Sequence, residues 1–483
     1  MKNFKYILRF LGILLIVQGV LILSCLIPAF HFDDGTWQPI LASGLFTLVV
    51  GLLLFVSFQK YRTIADKRMA YLLVVLMWVV LSLFGTLPFL STGATLRFSD
   101  AFFESMSGIT STGATIFPSV EILPSSVLLW RSMTQWFGGF GIVLLVLAVV
   151  PSMGINKYSL YTAEASGADN TGKQSVTMSS TIQQMLGVYI LLTVAFVFVL
   201  WKSGMHVWDA VNATFTNISS GGFSIYNNSI AGLTYLQQFI LSLAMFLSGV
   251  NFAMLYNFLT FRWERLRNKM DQFSFYVAAF ALAAVFVTLS LHFKVDYART
   301  EALRCGVVQT ISVLTTTGSV ADDTTLWWTP IVFLALVMSL CGGMAGSTTG
   351  GLKAMRVLIL GRNVRKILRD RLHPHAVSPV RLNGKPVSSH IITNVMVIFM
   401  VFVLVILAGI LLLMLCGINA TESIGAAIAC ITGYGPGLGM SGGFGNYAAF
   451  SVPAKWICAF LMLMGRLECL TLLVIFIPAF WKK

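Results

Sequence analysis

The sequence predicts an all-α integral membrane protein. It would have ten transmembrane helices plus four half-length helices, set out as four parallel helix–turn–helix repeats after two extra N-terminal helices. Three observations carry this expectation. The 483 residues are 57% hydrophobic and only 10% charged, whereas soluble domains carry about 25% charged residues. Apolar runs of about 20 residues, enough to cross roughly 30 Å of hydrocarbon, recur near 7–30, 40–58, 69–90, 129–151, 182–201, 234–259, 273–293, 329–345, 391–417 and 453–480. Between these runs lie four similar polar stretches, "GITSTGAT", "NISSGGFS", "LTTTGSV" and "CITGYGPGLG".

The formal charge of +14 reports topology rather than a nucleic-acid partner. With Lys2, Lys5 and Arg9 placed inside, ten spans return the C-terminus to the same side. The inner segments are then strongly basic and the outer ones net acidic, as expected when Lys and Arg stay cytoplasmic during insertion. The basic start, the apolar run and "LSC" at Leu23–Cys25 could also be a cleaved lipoprotein signal. The run is too long for a typical signal core, so the first helix is read as uncleaved. The seven cysteines (25, 305, 341, 416, 430, 458, 469) form no CxxC pair and read as packing residues. The six histidines are scattered, and His373 with His375 alone makes a poor metal site.

The repeat emerges when the polar stretches are anchored on Gly113, Gly222, Gly318 and Gly435. Three positions earlier stand Thr110, Ser219, Thr315 and Thr432, a hydroxyl in each copy. Thirteen positions earlier stand Asp100, Asp209, Cys305 and Glu422, so three of the four short helices begin with an acid able to cap free N–H groups and favour the positive end of the helix dipole. In the third copy Glu301 is the substitute. The units are 1–65 (two N-terminal helices), 66–155, 180–270 and 271–362 (repeats 1 to 3), 363–390 (a basic cytoplasmic linker) and 391–483 (repeat 4). Every copy enters and leaves on the same outer side, so a ring around one axis is the natural assembly. That is the layout of a pore.

Non-helical backbone at membrane depth is tolerated only where it is buried in protein or lines water. Four glycine turns meeting on one axis would offer carbonyl oxygens that replace the hydration shell of a monovalent cation, and glycine lets the backbone approach closely. The alternative is that Gly and Ser/Thr turns merely pack helices together. Four copies sharing a hydroxyl and mostly an acid favour the cation path.

The set "SGITSTGAT", "SSGGFS", "TTTGS" and "GYGPGLG", with "GGMAGSTTGGLKAMR" (342–356) and "GRLECLTLL" (465–473), resembles the Trk/Ktr/HKT superfamily of potassium transporters over essentially the whole chain, and most of all the bacterial TrkH-type pore-forming subunits. The resemblance implies a K+ selectivity filter, the ion held by Thr110, Ser111, Thr112, Gly113 and Ala114; Ser219, Ser220, Gly221, Gly222 and Phe223; Thr315, Thr316, Thr317, Gly318 and Ser319; and Thr432, Gly433, Tyr434, Gly435 and Pro436. It implies a homodimer with one pore per protomer, in the bacterial cytoplasmic (inner) membrane with both termini cytoplasmic, conducting K+ with some Na+ or Rb+. No cofactor is expected in this chain; a nucleotide (ATP/ADP or NAD) would act through a cytoplasmic TrkA-like regulatory ring. In related plant proteins a serine at the first filter glycine accompanies sodium preference, so Gly113 points to potassium. Ser319, where relatives often have an aromatic, and Tyr434, where they often have an aliphatic residue, depart from the pattern.

Within "CGGMAGSTTGG" the density of glycine should interrupt the eighth span, since each glycine costs about 1 kcal/mol relative to alanine in a helix. Close packing through GxxxG is the alternative. We read Gly346, Ser347, Thr348, Thr349, Gly350 and Gly351 as a movable loop below the filter, forming a gate with Arg466, a charge inside the last span that costs at least ~2.5 kcal/mol there. Local neutralisation of Arg466 by Glu468 is the plainer reading, and the two are compatible because residues two apart on a helix point in different directions. The basic stretch 361–390 suits anionic lipid or a docked partner. "GADNTGKQ" (167–174) has phosphate-loop spacing, but Gln174 stands where Ser/Thr is needed and no strand precedes it. A proton- or sodium-coupled K+ symporter, or a less selective Na+/K+ transporter, remains the alternative. Only Glu468 is an acid placed within a span, which favours a channel-like path. No acid/base or nucleophile constellation suggests an enzyme.

Overall fold

The computed structural model describes residues 2–61, 67–149, 178–266, 270–374 and 378–481. Lys2–Ser24 and Trp37–Ser57, joined through Leu26–His31, form an antiparallel N-terminal pair. Glycines draw the two together: a Cβ on Gly12 would collide with the backbone at Phe55 and Gly51, and one on Gly51 with the backbone of Ile16 and Gly12. This is the small-residue contact that lets membrane helices pack backbone to backbone.

Each of the four repeats then has an outer helix, a short helix, a glycine turn and an inner helix. The outer helices are Lys67–Gly85, Met178–Lys202, Met270–Lys294 and Ser389–Leu415. The short helices are Phe98–Ile109, Val207–Ile218, Arg299–Leu314 and Ala420–Thr432. The inner helices begin at Ser125, Tyr235, Thr329 and Val452. The buried apolar side chains form two main bodies. One joins the N-terminal pair to repeats 1 and 4, and the other joins repeats 2 and 3.

The apolar runs fall on these helices, but not all cross as straight rods. Among the described residues six helices are long and apolar enough to span a membrane, or eight if two sharply bent pairs count as one span each. Inner helix 2 bends by 105° between Tyr235–Ser248 and Phe252–Leu259, and inner helix 4 by 113° between Val452–Arg466 and Leu470–Phe476. At the first bend Asn251 starts a new helix by accepting from the Met254 N–H. At the second, Glu468 and Cys469 are both left-handed. Inner helix 3 stops at Cys341, before the expected loop. Sequence reading placed a break in inner helix 3 alone.

The boundary expected at 362 falls inside a helix, Ala354–Leu372. A small hairpin pairing Arg381–Leu382 with Lys385–Pro386 follows it. Asp271, at the start of outer helix 3, binds Arg362 at 2.6 Å and the Asn383 N–H at 2.8 Å, so much of the predicted linker is docked. The phosphate-loop-like stretch 167–174 lies outside the described residues.

Candidate functional site

The site begins with the way each short helix ends. In the first three copies the hydroxyl residue (Thr110, Ser219, Thr315) is the last right-handed position, and the next residue turns left-handed: Ser111, Ser220 and Thr316, each at φ +54°. In the fourth copy the helix runs on to Thr432, and Gly433 takes that role at φ +70°. The following N–H reaches back five residues to close the helix: Thr112 to Ser107, Gly221 to Thr216 and Thr317 to Ser312 at 2.8 Å, and Tyr434 to Ala429 at 3.0 Å. This is a Schellman-type termination, which satisfies carbonyls that a helix end otherwise leaves free. The predicted hydroxyls complete it, for all four donate to the carbonyl four residues back at 2.7–2.8 Å.

The acids at the other ends of the short helices do not cap them. Asp100, Asp209, Glu301 and Glu422 lie in the first turn, where they still complement the dipole. Capping falls to His206 and Asn419 in copies 2 and 4, while the first and third helices have no side-chain cap. Asp100 is instead bound by buried Lys455 of inner helix 4 at 2.8 Å.

The four glycines close a ring. Each is left-handed, with φ between +73° and +88°. A Cβ on Gly113 would overlap the carbonyl oxygen of Gly221, one on Gly222 that of Thr317, one on Gly318 that of Tyr434, and one on Gly435 that of Thr112. Each contact joins one copy to the next, always to the residue just before the neighbour's own glycine, and the fourth returns to the first. All four glycines line one cavity of about 600 Å³, open mouth included.

A buried polar frame surrounds the ring, and sequence reading missed it. Glu104 and Arg131, 0% and 2% exposed, pair at 2.8 Å. Glu104 also accepts from the Ile116 N–H at 2.9 Å, and Arg131 donates to the Ser224 carbonyl at 2.9 Å. Gln309 occupies the position of Glu104 in copy 3 and accepts from the Ala321 N–H at 3.1 Å. The two departures from the pattern sit in this frame: Ser319 donates to Asn217 at 2.9 Å, and the Tyr434 hydroxyl accepts from Gln309 at 3.3 Å. The available signal was a charged pair, Glu104 and Arg131, in otherwise apolar surroundings. Glu104, on the first short helix rather than in a span, is a buried acid that the reading of spans did not weigh, and it is committed to Arg131.

The 342–353 loop lies against the base of the ring. The Gly351 N–H donates to the Thr432 carbonyl at 2.9 Å, the Gly350 N–H to the Thr316 hydroxyl at 2.7 Å, and the Thr348 hydroxyl to the Ile218 carbonyl at 3.1 Å. Three copies are thus touched by one loop. Arg466 holds it from the fourth side, donating to the Thr348 carbonyl at 3.0 Å and to Gly138 of inner helix 1 at 2.9 Å. Of the two readings weighed for Arg466, neutralisation by Glu468 does not occur, because the left-handed turn at Glu468 sends it to Arg356 at 2.6 Å. Among the described residues Arg466 has no ion-pair partner. No group of three or more His, Cys, Asp or Glu able to hold a metal occurs among the described residues, and all seven cysteines are free thiols.

Fold and ring together define a multi-pass membrane protein of four helix–turn–helix repeats, the class in which non-helical backbone is gathered around a central path. The chain belongs to the TrkH family of cation transport proteins, whose model matches residues 37–483. It is 33% identical to the Trk system potassium uptake protein TrkH of Salmonella typhimurium over 100% of both chains. It is 32% identical to the Trk system potassium uptake protein TrkI of Halomonas elongata over 86% of this chain and 84% of that one. The crystal structure of the potassium transporter TrkH from Vibrio parahaemolyticus superimposes with a TM-score of 0.89 at 29% identity, covering 99% of this chain and 100% of that one.

Proposed function

We propose that the chain is the pore-forming subunit of a bacterial potassium uptake system, passing K+ inward through a gated path with the inside-negative membrane potential as the drive. The observation that carries this reading is the closed ring of Gly113, Gly222, Gly318 and Gly435, each backed by a carbonyl of the next copy. In this reading Thr110–Ala114, Ser219–Phe223, Thr315–Ser319 and Thr432–Pro436 form the filter, whose backbone oxygens replace the ion's water. Gly346–Gly351 and Arg466 form the gate: the loop crosses the path below the ring, and the arginine adds a positive barrier while holding it there. Chemistry on a bound substrate plays no part.

The same reading places the protein in the cytoplasmic membrane as a homodimer with both termini inside. A TrkA-like ring would dock on the basic inner surface, bind nucleotide and act on the gate through Ala354–Leu372, whose Arg356 is tied to Glu468 beside Arg466. A proton-coupled symporter would need an acid free to change protonation along the path. Glu104 is buried but bound to Arg131, which favours uncoupled passage.

The test is growth rescue of a potassium-uptake-deficient bacterium at low K+, with Gly113→Ser alongside. Rescue by the native chain and its loss or weakening in the serine variant are expected. Failure of the native chain to rescue, despite confirmed membrane expression with its partner, rejects the proposal.

A further inference from the structure

The ring is not symmetric in how its oxygens are held. The four oxygens that back the glycines belong to Thr112, Gly221, Thr317 and Tyr434. Among the described residues only the Gly221 oxygen accepts a hydrogen bond, from the Gln135 Nε2 at 2.8 Å. The other end of the same amide accepts from the Phe223 N–H at 3.0 Å, so Gln135 grips the second turn on both sides of Gly222. Gln135 is fully buried on inner helix 1. One turn earlier on that helix Arg131 binds the Ser224 carbonyl and lies 4.2 Å from the Phe223 ring centre. The backbone of Gln135 itself accepts from the Ser111 hydroxyl at 3.2 Å. Inner helix 1 therefore fixes residues 221, 223 and 224 at several points, and no room remains for slack: a Cβ on Gly221 would overlap the Gln135 amide.

We infer that Gln135 is a positioning residue for cation discrimination. This rests on the uptake reading above and adds to it a determinant outside the glycine turns. A carbonyl oxygen has two lone pairs, so Gly221 can be held by Gln135 and still face a cation. The hydrogen bond restrains how far that oxygen can follow an ion smaller than K+. Contraction of the ring around Na+ would stretch the Gln135–Gly221 bond, whereas K+ leaves it at its resting length. The chemical consequence is selective: loss of the amide donor favours the smaller cation, while packing loss alone slows all cations alike.

The experiment uses full-length protein in vesicles, with K+, Rb+ and Na+ flux measured separately under the same imposed potential. Gln135→Met keeps length and volume but removes the donor to Gly221 together with the acceptor for the Phe223 N–H, and Gln135→Leu is the second variant should the first not assemble. The expected result is a K+/Na+ flux ratio lowered by about fivefold, the equivalent of one hydrogen bond's net contribution, with K+/Rb+ changed less. The thermal stabilisation that Na+ confers on the purified variant should rise relative to that conferred by K+. Parallel loss of K+ and Na+ flux at a constant ratio, or no change in either, overturns the inference. Gly113→Ser separates the two levels. If the native chain passes no K+, the uptake reading fails. If Gly113→Ser shifts the ratio but both Gln135 variants leave it unchanged, only the role of Gln135 fails.

Discussion

Ser111, Ser220 and Thr316 take a left-handed conformation that costs roughly 1–2 kcal/mol in a non-glycine residue. Two backbone hydrogen bonds at each helix end, and the lateral contacts of a closed ring, hold them there. Sequence reading found the glycine two residues later and the hydroxyl one residue earlier. It named Ser111, Ser220 and Thr316 as filter residues but not the left-handed turn at which each ends its helix, because serine and threonine carry no conformational signature of this turn. Arg466 was legible as a buried charge facing the 346–351 loop, and it does donate to the Thr348 carbonyl; its second bond, to Gly138, and the backbone turn that takes Glu468 away from it were not legible. At this scale Arg466→Ala should raise cation flux. Removing even one of its charged hydrogen bonds forfeits about 1.5–3 kcal/mol, enough to shift an open–closed balance by about tenfold or more. Unchanged flux through reconstituted protein would remove Arg466 from the gate.

At the scale of elements, the 342–353 loop and the three interrupted inner helices matter most. The loop announced itself through glycine density, and its place under the ring follows from three polar contacts to three different copies. Gly350 is the tightest point, since a Cβ there would overlap the Thr432 carbonyl. Gly350→Ala should therefore unseat the loop and raise flux in the same direction as Arg466→Ala. Their combination should raise it little further, because both release one element; additive effects in a flux assay would mean two separate barriers. The bends near Asn251 and Glu468 were hidden because both lie in continuous apolar runs, where hydropathy records burial but not direction.

For the whole molecule, ring closure makes the four glycines mutually dependent. Single alanine substitutions at Gly222 and Gly435 should each impair K+ selectivity, and the double variant should lose less than the sum, as measured by K+/Na+ flux ratios. The buried frame makes a separate prediction about stability. Glu104→Ala strands the Arg131 charge and should cost about 3–5 kcal/mol, whereas replacing both by methionine should recover most of it. Thermal unfolding in detergent would reveal the difference. Hydropathy, charge asymmetry and the spacing of four glycines were enough to specify a membrane protein of four parallel repeats, because lipid forces long apolar helices and a repeated motif keeps its register along the chain. The order of the ring, the carbonyl each glycine faces, the pairing of Arg356 with Glu468 and the grip of Gln135 on Gly221 were settled only in three dimensions. Each depends on residues from 86 to 323 positions apart, or on a left-handed turn, and local sequence patterns encode neither.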